Sequence, residues 1–222
     1  MKDNNLKFDS VAFDVDSTLV TIEGLDYMAS LKNKVSEISQ ITRLAMNGEI
    51  SMKDAMMKKM AAISPSISDL ISMGNAYVKN IVTGVMETIS TLNKHNIKVW
   101  IVTGNFQPGV GILAEYLGIK PEHVITNEIF HNKDGSYQSF NLNHPLSNNG
   151  GKKIMVQKMK SLFGRVCFVG DGSTDLDTQE TVELFIGFGG VIRRKNVEEN
   201  SHVYISKPNM TSILSYLNLS ID

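Results

Sequence analysis

Four short apolar runs, at residues 11–13, 99–102, 166–169 and 184–186, each stop at a glycine or a polar residue. Runs this short, bounded by turn-formers and polar residues, read as buried strands. Helical patterns lie between them, at residues 86–94, 110–117 and 154–163. Alternation of strand and helix predicts βαβ units and a parallel sheet. The expected class is therefore α/β, a Rossmann-like parallel sheet with helices on both faces. Asn132-Lys133-Asp134-Gly135, flanked by Phe130 and Tyr137, predicts a projecting β-hairpin.

Residues 24–83 break this rhythm, because no strand run occurs in them. Val35, Ile38, Ile41 and Ala45 share one helix face, and Met52, Met56, Met60 and Ile63 share a second. Ile67, Leu70, Ile71 and Tyr77 suggest a third helix, separated from the second by Ser64-Pro65. The expectation is a helical-bundle cap, residues 24–83, inserted after the first strand of a core made of residues 1–23 and 84–222. Seven of the twelve methionines fall in it, at 28, 46, 52, 56, 57, 60 and 73. Methionine adapts its shape, which suits a lid over a small ligand as well as ordinary core filling.

Composition narrows the function classes. The 222 residues carry 22 basic and 23 acidic side chains, a net charge of -1, so no basic footprint for nucleic acid or a membrane surface exists. No run approaches the roughly 18 apolar residues of a membrane span. Residues 1–5 lack the apolar segment of a signal peptide. The lone Cys167, inside an apolar run, excludes an intramolecular disulfide and reads as a buried core residue. A cytoplasmic protein, monomer or homodimer, is expected.

The chemistry begins where the first run ends, at Asp14-Val15-Asp16-Ser17-Thr18. Two carboxylates gathered at a strand end raise one pKa or require a cation. They point to Mg²⁺ and a nucleophilic carboxylate. A calcium loop fits poorly, since Leu19 stands where an EF-hand needs glycine. Thr103-Gly104-Asn105 follows the second run, and Gly170-Asp171-Gly172-Ser173-Thr174-Asp175 the third. Lys152 follows Gly150-Gly151 and opens a helix. Ligands of an open parallel sheet sit beyond the carboxyl ends of its strands, so these groups would converge. Thr103 and Gly104 can hold phosphate oxygens, and Lys152 can neutralise their charge. Gly172 lets backbone approach an anion, and Asp171 adds a hard oxygen ligand for Mg²⁺. Singly, Thr103 reads equally well as a helix N-cap, and Lys152 reads better as a solvated surface lysine. The order of all four sites is what carries the argument.

These four motifs resemble those of the haloacid dehalogenase superfamily, and within it the phosphoserine phosphatases. The likeness extends through residues 22–26, Val35-Ser36-Glu37-Ile38, Thr42-Arg43, Ala45-Met46, residues 63–66 and residues 185–193. It spans Ser10 to about Ser206, and only nine residues precede it, which leaves no room for the regulatory N-terminal domain some members carry. The resemblance implies that Asp14 attacks phosphorus and that Asp16 protonates the leaving oxygen, then activates water. It implies Mg²⁺ held by Asp14, the Asp16 carbonyl and Asp171, with Asp175 anchoring its water shell or orienting Lys152. Thr103 and Lys152 would stabilise the transferring phosphoryl group. The second aspartate favours a phosphatase over a dehalogenase and over the phosphorylated transport ATPases.

Substrate choice rests on fewer residues. The resemblance places Glu23 on a substrate ammonium and adds Met46, Met52, Gly104, Asn105 and Thr174 to the substrate site. The chain departs from the family pattern at several of these places. Lys59 stands where an arginine meets the substrate carboxylate, and lysine offers a point contact where arginine offers a planar fork. Arg43 is a possible compensation. Thr103 replaces a serine, Asn105 a glycine, and Met52 an aromatic of some members. The expected activity is hydrolysis of O-phosphoserine to serine and phosphate. The alternatives are another small amine-bearing phosphomonoester, such as phosphoethanolamine, and a non-catalytic binding protein on this fold. Histidines 95, 123, 131, 144 and 202 show no metal-ligand spacing.

Overall fold

The computed structural model describes residues 7–46 and 49–221. Its centre is β1 (Ser10–Phe13), flanked by β2 (Lys98–Phe106) and β6 (Val166–Gly170). With β3 (Val124–Asn127), β7 (Leu184–Phe188) and β8 (Val203–Ile205), these form a parallel six-stranded sheet in the order β3-β2-β1-β6-β7-β8. The alternation read from the sequence is thus realised. β4 (Ile129–His131) and β5 (Tyr137–Phe140) make the expected antiparallel hairpin.

β1 is buried throughout, and its residues alternate between two cores. Val11 and Phe13 join Ile89, Leu113 and Met210 on one face, whereas Ala12 joins Trp100, Phe163 and Phe168 on the other. This is the period-2 geometry of a strand covered on both faces. The first face is covered by α5 (Val85–Lys94), α6 (Gly109–Tyr116) and a 3-10 turn at Met210–Leu217. The second is covered by α7 (Gly151–Lys158), α8 (Lys160–Phe163), α9 (Ser173–Leu176) and α10 (Lys195–Asn200).

Between β1 and β2 run α1 (Gly24–Leu31), α2 (Val35–Met46), α3 (Met52–Ile63) and α4 (Ile67–Lys79). The chain enters and leaves this segment side by side. Val20 bridges Ile81, the Thr21 amide donates to Asn80, and the Val82 amide donates to Leu19. Ser64, at φ 44°, ends α3 in the left-handed conformation, and a Ser66–Asp69 capping box starts α4. α4 lies backbone-close on α6. A Cβ at Gly74 would come within 2.6 Å of the Gly109 carbonyl oxygen, and one at Gly109 within 2.6 Å of the Leu70 carbonyl oxygen. Only glycines allow this approach, which holds α4 firmly against the sheet's own helix. Met28, Met60 and Met73 are fully buried, the core-filling use of methionine. Cys167 is buried as expected. Among the described residues no helix is long and apolar enough to cross a membrane.

The structure adds elements the patterns missed. β3 and β8 are edge strands of only four and three residues, too short to stand out as runs, and α1 begins on a glycine that hides its helical period. The pattern at 154–163 is two helices broken at Met159, not one.

Candidate active site

Strand register explains why the acids meet. Phe13 pairs with Ile101 on one side and Val169 on the other. Asp14, one step beyond, therefore emerges between Thr103 at the end region of β2 and Asp171 just past β6. Its amide donates to the Val169 carbonyl at 3.0 Å, which continues the ladder to the strand tip. The chain runs outward from β1 to β2 and β3 on one side and to β6, β7 and β8 on the other. The crevice lies where the strand order reverses.

A cavity of about 470 Å³ opens at this point. Of the residues expected from the sequence, Asp14, Asp16, Glu23, Lys59, Thr103, Gly104, Asn105, Lys152 and Thr174 line it. Asp171 and Asp175 lie buried directly beneath. The side chains of Met46 and Met52 lie outside the described residues. Arg43 is exposed and does not line the cavity, whereas its neighbour Thr42 does. Met56 reaches the cavity from the methionine stripe.

Lys152, on the first turn of α7, is 7% exposed and lies between two carboxylates, 2.6 Å from Asp14 Oδ1 and 2.6 Å from Asp175 Oδ1. Burial alone would depress its pKa, but Asp14 and Asp175 reverse this and hold the ammonium above the ordinary lysine range. Asp175, 1% exposed, also accepts from the Gly172 amide at 2.9 Å. Of the two roles the resemblance offers it, the orientation of Lys152 is the one with a contact. Burial and repulsion from Asp14 push Asp175 up to about 7, against the pull of Lys152. Asp171 is pushed up to about 6 by burial and Asp14, with Arg194 opposing.

Asp14, Asp171 and Asp175 can each direct a carboxylate oxygen to within 4.8 Å of the others. Three buried acids share one lysine and one arginine, and the raised pKa values of Asp171 and Asp175 record negative charge that nothing fully neutralises. Hard oxygen donors in this arrangement fit a divalent cation.

Asp16 sits apart from that cluster. Its Oδ1 accepts from the Tyr77 hydroxyl at 2.6 Å, and its Oδ2 accepts from the Gly24 amide and the Asn105 side-chain amide, each at 2.8 Å. Burial, Glu23 and Asp14 push its pKa up to about 8, against the hydrogen bonds from Tyr77 and Gly24. Asp16 thus holds a proton near neutrality, as a group that must give one away requires. Between the two aspartates' loop and α1, Ser17 adopts φ 53° and donates to Glu23 Oε1 at 2.7 Å. A left-handed serine costs roughly 1–3 kcal/mol, and such strain is characteristic of functional loops.

At the far side, Lys59 shares the cavity with Asp26, Glu23 and Arg194. Burial lowers the Lys59 pKa, while Asp26 and Glu23 oppose the shift. Sequence reasoning missed Arg194, whose Nε lies 2.9 Å from Asp171 Oδ2 and whose Nη2 lies 3.6 Å from Glu23. It also missed Tyr77 as a polar group, because Tyr77 falls in the apolar stripe of α4. The signal available was only a phenol in a helix otherwise lined by aliphatic side chains.

The fold and the site have counterparts among known proteins. A family model for haloacid dehalogenase-like hydrolases matches residues 11–180. Phosphoserine phosphatases of Mus musculus and Homo sapiens are each 32% identical over 200 residues, covering 89% of this chain and 89% of theirs. The crystal structure of a phosphoserine phosphohydrolase-like protein from Francisella tularensis superposes with a TM-score of 0.82 at 28% identity, covering 96% of this chain and 100% of that one. The chain belongs to the haloacid dehalogenase-like hydrolase family, on the branch of the phosphoserine phosphatases.

Proposed function

We propose that this protein hydrolyses O-phosphoserine to serine and phosphate in a Mg²⁺-dependent reaction through an aspartyl phosphate. The observation that carries the reading is the division of the two aspartates. Asp14 is charge-paired with Lys152 at 2.6 Å, whereas Asp16 keeps a proton with a pKa near 8. One is prepared as a nucleophile and the other as an acid.

The Asp14 carboxylate attacks phosphorus, and the bond to the serine oxygen breaks as that oxygen takes the Asp16 proton. Asp16, now ionised, takes a proton from the water that hydrolyses the aspartyl phosphate. Lys152 and the Thr103 hydroxyl face the phosphoryl oxygens and stabilise their charge. Asp175 orients Lys152. Asp14, Asp171 and the Asp16 backbone carbonyl would hold Mg²⁺, which would supply further neutralisation of the phosphoryl charge.

Glu23 supports recognition of the substrate ammonium, and Lys59 recognition of its carboxylate. Residues 24–83 act in this reading as the cap over the cavity, with α2 and α3 carrying Thr42, Met56 and Lys59 to it. A second reading, phosphoethanolamine, is favoured by one observation: Lys59 stands beside Asp26 and Glu23, whose charges compete with a substrate carboxylate. A cytoplasmic location belongs to the same proposal, in keeping with the lone buried Cys167.

The test is phosphate release from a panel of small phosphomonoesters with Mg²⁺. Phosphoserine turned over with the highest kcat/KM supports the proposal. Preference for phosphoethanolamine would shift it to the second reading, and no turnover of any member would refute it.

A further inference from the structure

Three donors converge on one carboxylate: the Tyr77 hydroxyl on Asp16 Oδ1, and the Gly24 amide and Asn105 side chain on Oδ2. They come from three separate stretches of chain, α4, the start of α1 and β2. The packing among them is tight. A Cβ at Gly24 would lie 2.1 Å from the Tyr77 hydroxyl, 2.8 Å from Met73 Sδ and 3.1 Å from Asn105 Oδ1. Gly24 therefore leaves the space through which the phenol reaches Asp16.

Tyr77 is fully buried, and its helix is locked on α6 by the Gly74–Gly109 approach. Burial and the neighbouring Asp16 push the pKa of the Tyr77 phenol well above its ordinary value. A carboxyl group on a free side chain samples several rotamers, and a small misplacement of a proton donor lowers the rate steeply.

We propose that Tyr77 and Asn105 are positioning residues that clamp the Asp16 carboxyl group and aim its proton at the leaving oxygen. The inference rests on Asp16 being the general acid of the proposed reaction. In that step the P–O bond breaks, its electron pair stays on the leaving oxygen, and the Asp16 proton satisfies it. A serine alkoxide needs this proton, whereas a nitrophenolate leaves readily as the anion. Loss of the clamp therefore matters for one leaving group and not for the other.

The test compares wild type, Tyr77→Phe and Asn105→Gly in the presence of Mg²⁺. Phe keeps the ring that fills the core, and Asn105→Gly covers the case in which Tyr77→Phe fails to fold. Leaving-group release in the first turnover is measured for phosphoserine and for p-nitrophenyl phosphate. Each variant should slow serine release about tenfold, a modest part of the range for general acid catalysis. Nitrophenolate release should slow far less, so that the ratio of nitrophenolate to serine release rises several-fold over wild type. Equal slowing on both substrates, or wild-type rates on both, would overturn the clamp. A wild-type protein that releases neither leaving group would overturn the proposed function itself, and the clamp with it.

Discussion

The two ends of the cavity are built differently. At the floor, Asp14, Lys152, Asp171 and Asp175 are all buried, and Lys152 makes short ion pairs with Asp14 and Asp175. Each sits just past a strand end or in the first turn of a helix. At the roof, Lys59, Thr42 and Met56 come from α2 and α3, with Arg194 and Glu23 partly exposed at the margin, where Arg194 reaches down to Asp171 at 2.9 Å and across to Glu23 at 3.6 Å. The floor resists change because removing one member leaves a buried charge uncompensated. The roof can exchange residues at small cost, since a half-exposed charge loses little when its partner goes. Of the departures noted in the sequence, Lys59 lies at the roof, whereas Thr103 and Asn105 are buried on β2 beside the floor.

This contrast predicts a graded set of outcomes. Asp14→Asn should lower kcat by at least about 10³-fold, as loss of a nucleophile does. The protein should still fold, because asparagine keeps the shape; circular dichroism and steady-state kinetics check both halves. Lys152→Met should be nearly as inactive and also destabilised by about 3–5 kcal/mol, since Asp14 and Asp175 lose their shared cation. Denaturant unfolding measures this, and wild-type stability would erase the floor–roof contrast.

Chelation should abolish activity, and added Mg²⁺ should restore it. The pH dependence of stability gives a second reading of the same charges. Asp171, Asp175 and Asp16 are pushed up to about 6, 7 and 8 in the folded protein without metal. Unfolded, they titrate near 4. Between those limits the folded state holds more protons than the unfolded state, so stability falls as pH rises. The melting temperature of chelated protein should therefore drop between about pH 5 and pH 8, and Mg²⁺ should raise it more at the higher pH. A flat profile would argue that the acids are neutralised within the fold.

The smallest effects belong to the roof. Lys59→Arg should improve kcat/KM for phosphoserine several-fold, by about 1 kcal/mol, through a forked contact with the carboxylate. It should leave phosphoethanolamine unchanged. Equal effects on the two substrates would remove Lys59 from carboxylate recognition.

The acids of the floor were legible in the sequence because their motifs follow apolar runs that read as strands, as Phe13 precedes Asp14 and Val169 precedes Gly170-Asp171; Lys152 was legible only from its place after Gly150-Gly151 at a helix start. Strand ends fix direction, and a parallel sheet brings them to one edge. The roof was only partly legible. A helical stripe such as Met52, Met56 and Met60 identifies a buried face, yet Met60 is in the core and Met56 at the cavity. Tyr77 was hidden because its ring satisfies an apolar pattern while its hydroxyl serves Asp16. Arg194 was hidden because its charge meets Asp171 across a turn with no periodicity of its own.

The account turns on Asp14 becoming covalently phosphorylated. Rapid acid quench of the enzyme with radiolabelled phosphoserine and Mg²⁺, followed by peptide mapping, tests this directly. Label on the peptide containing Asp14, sensitive to hydroxylamine and missing from Asp14→Asn, is the predicted result. Full turnover with no label on that peptide, or label that persists in Asp14→Asn, would contradict it.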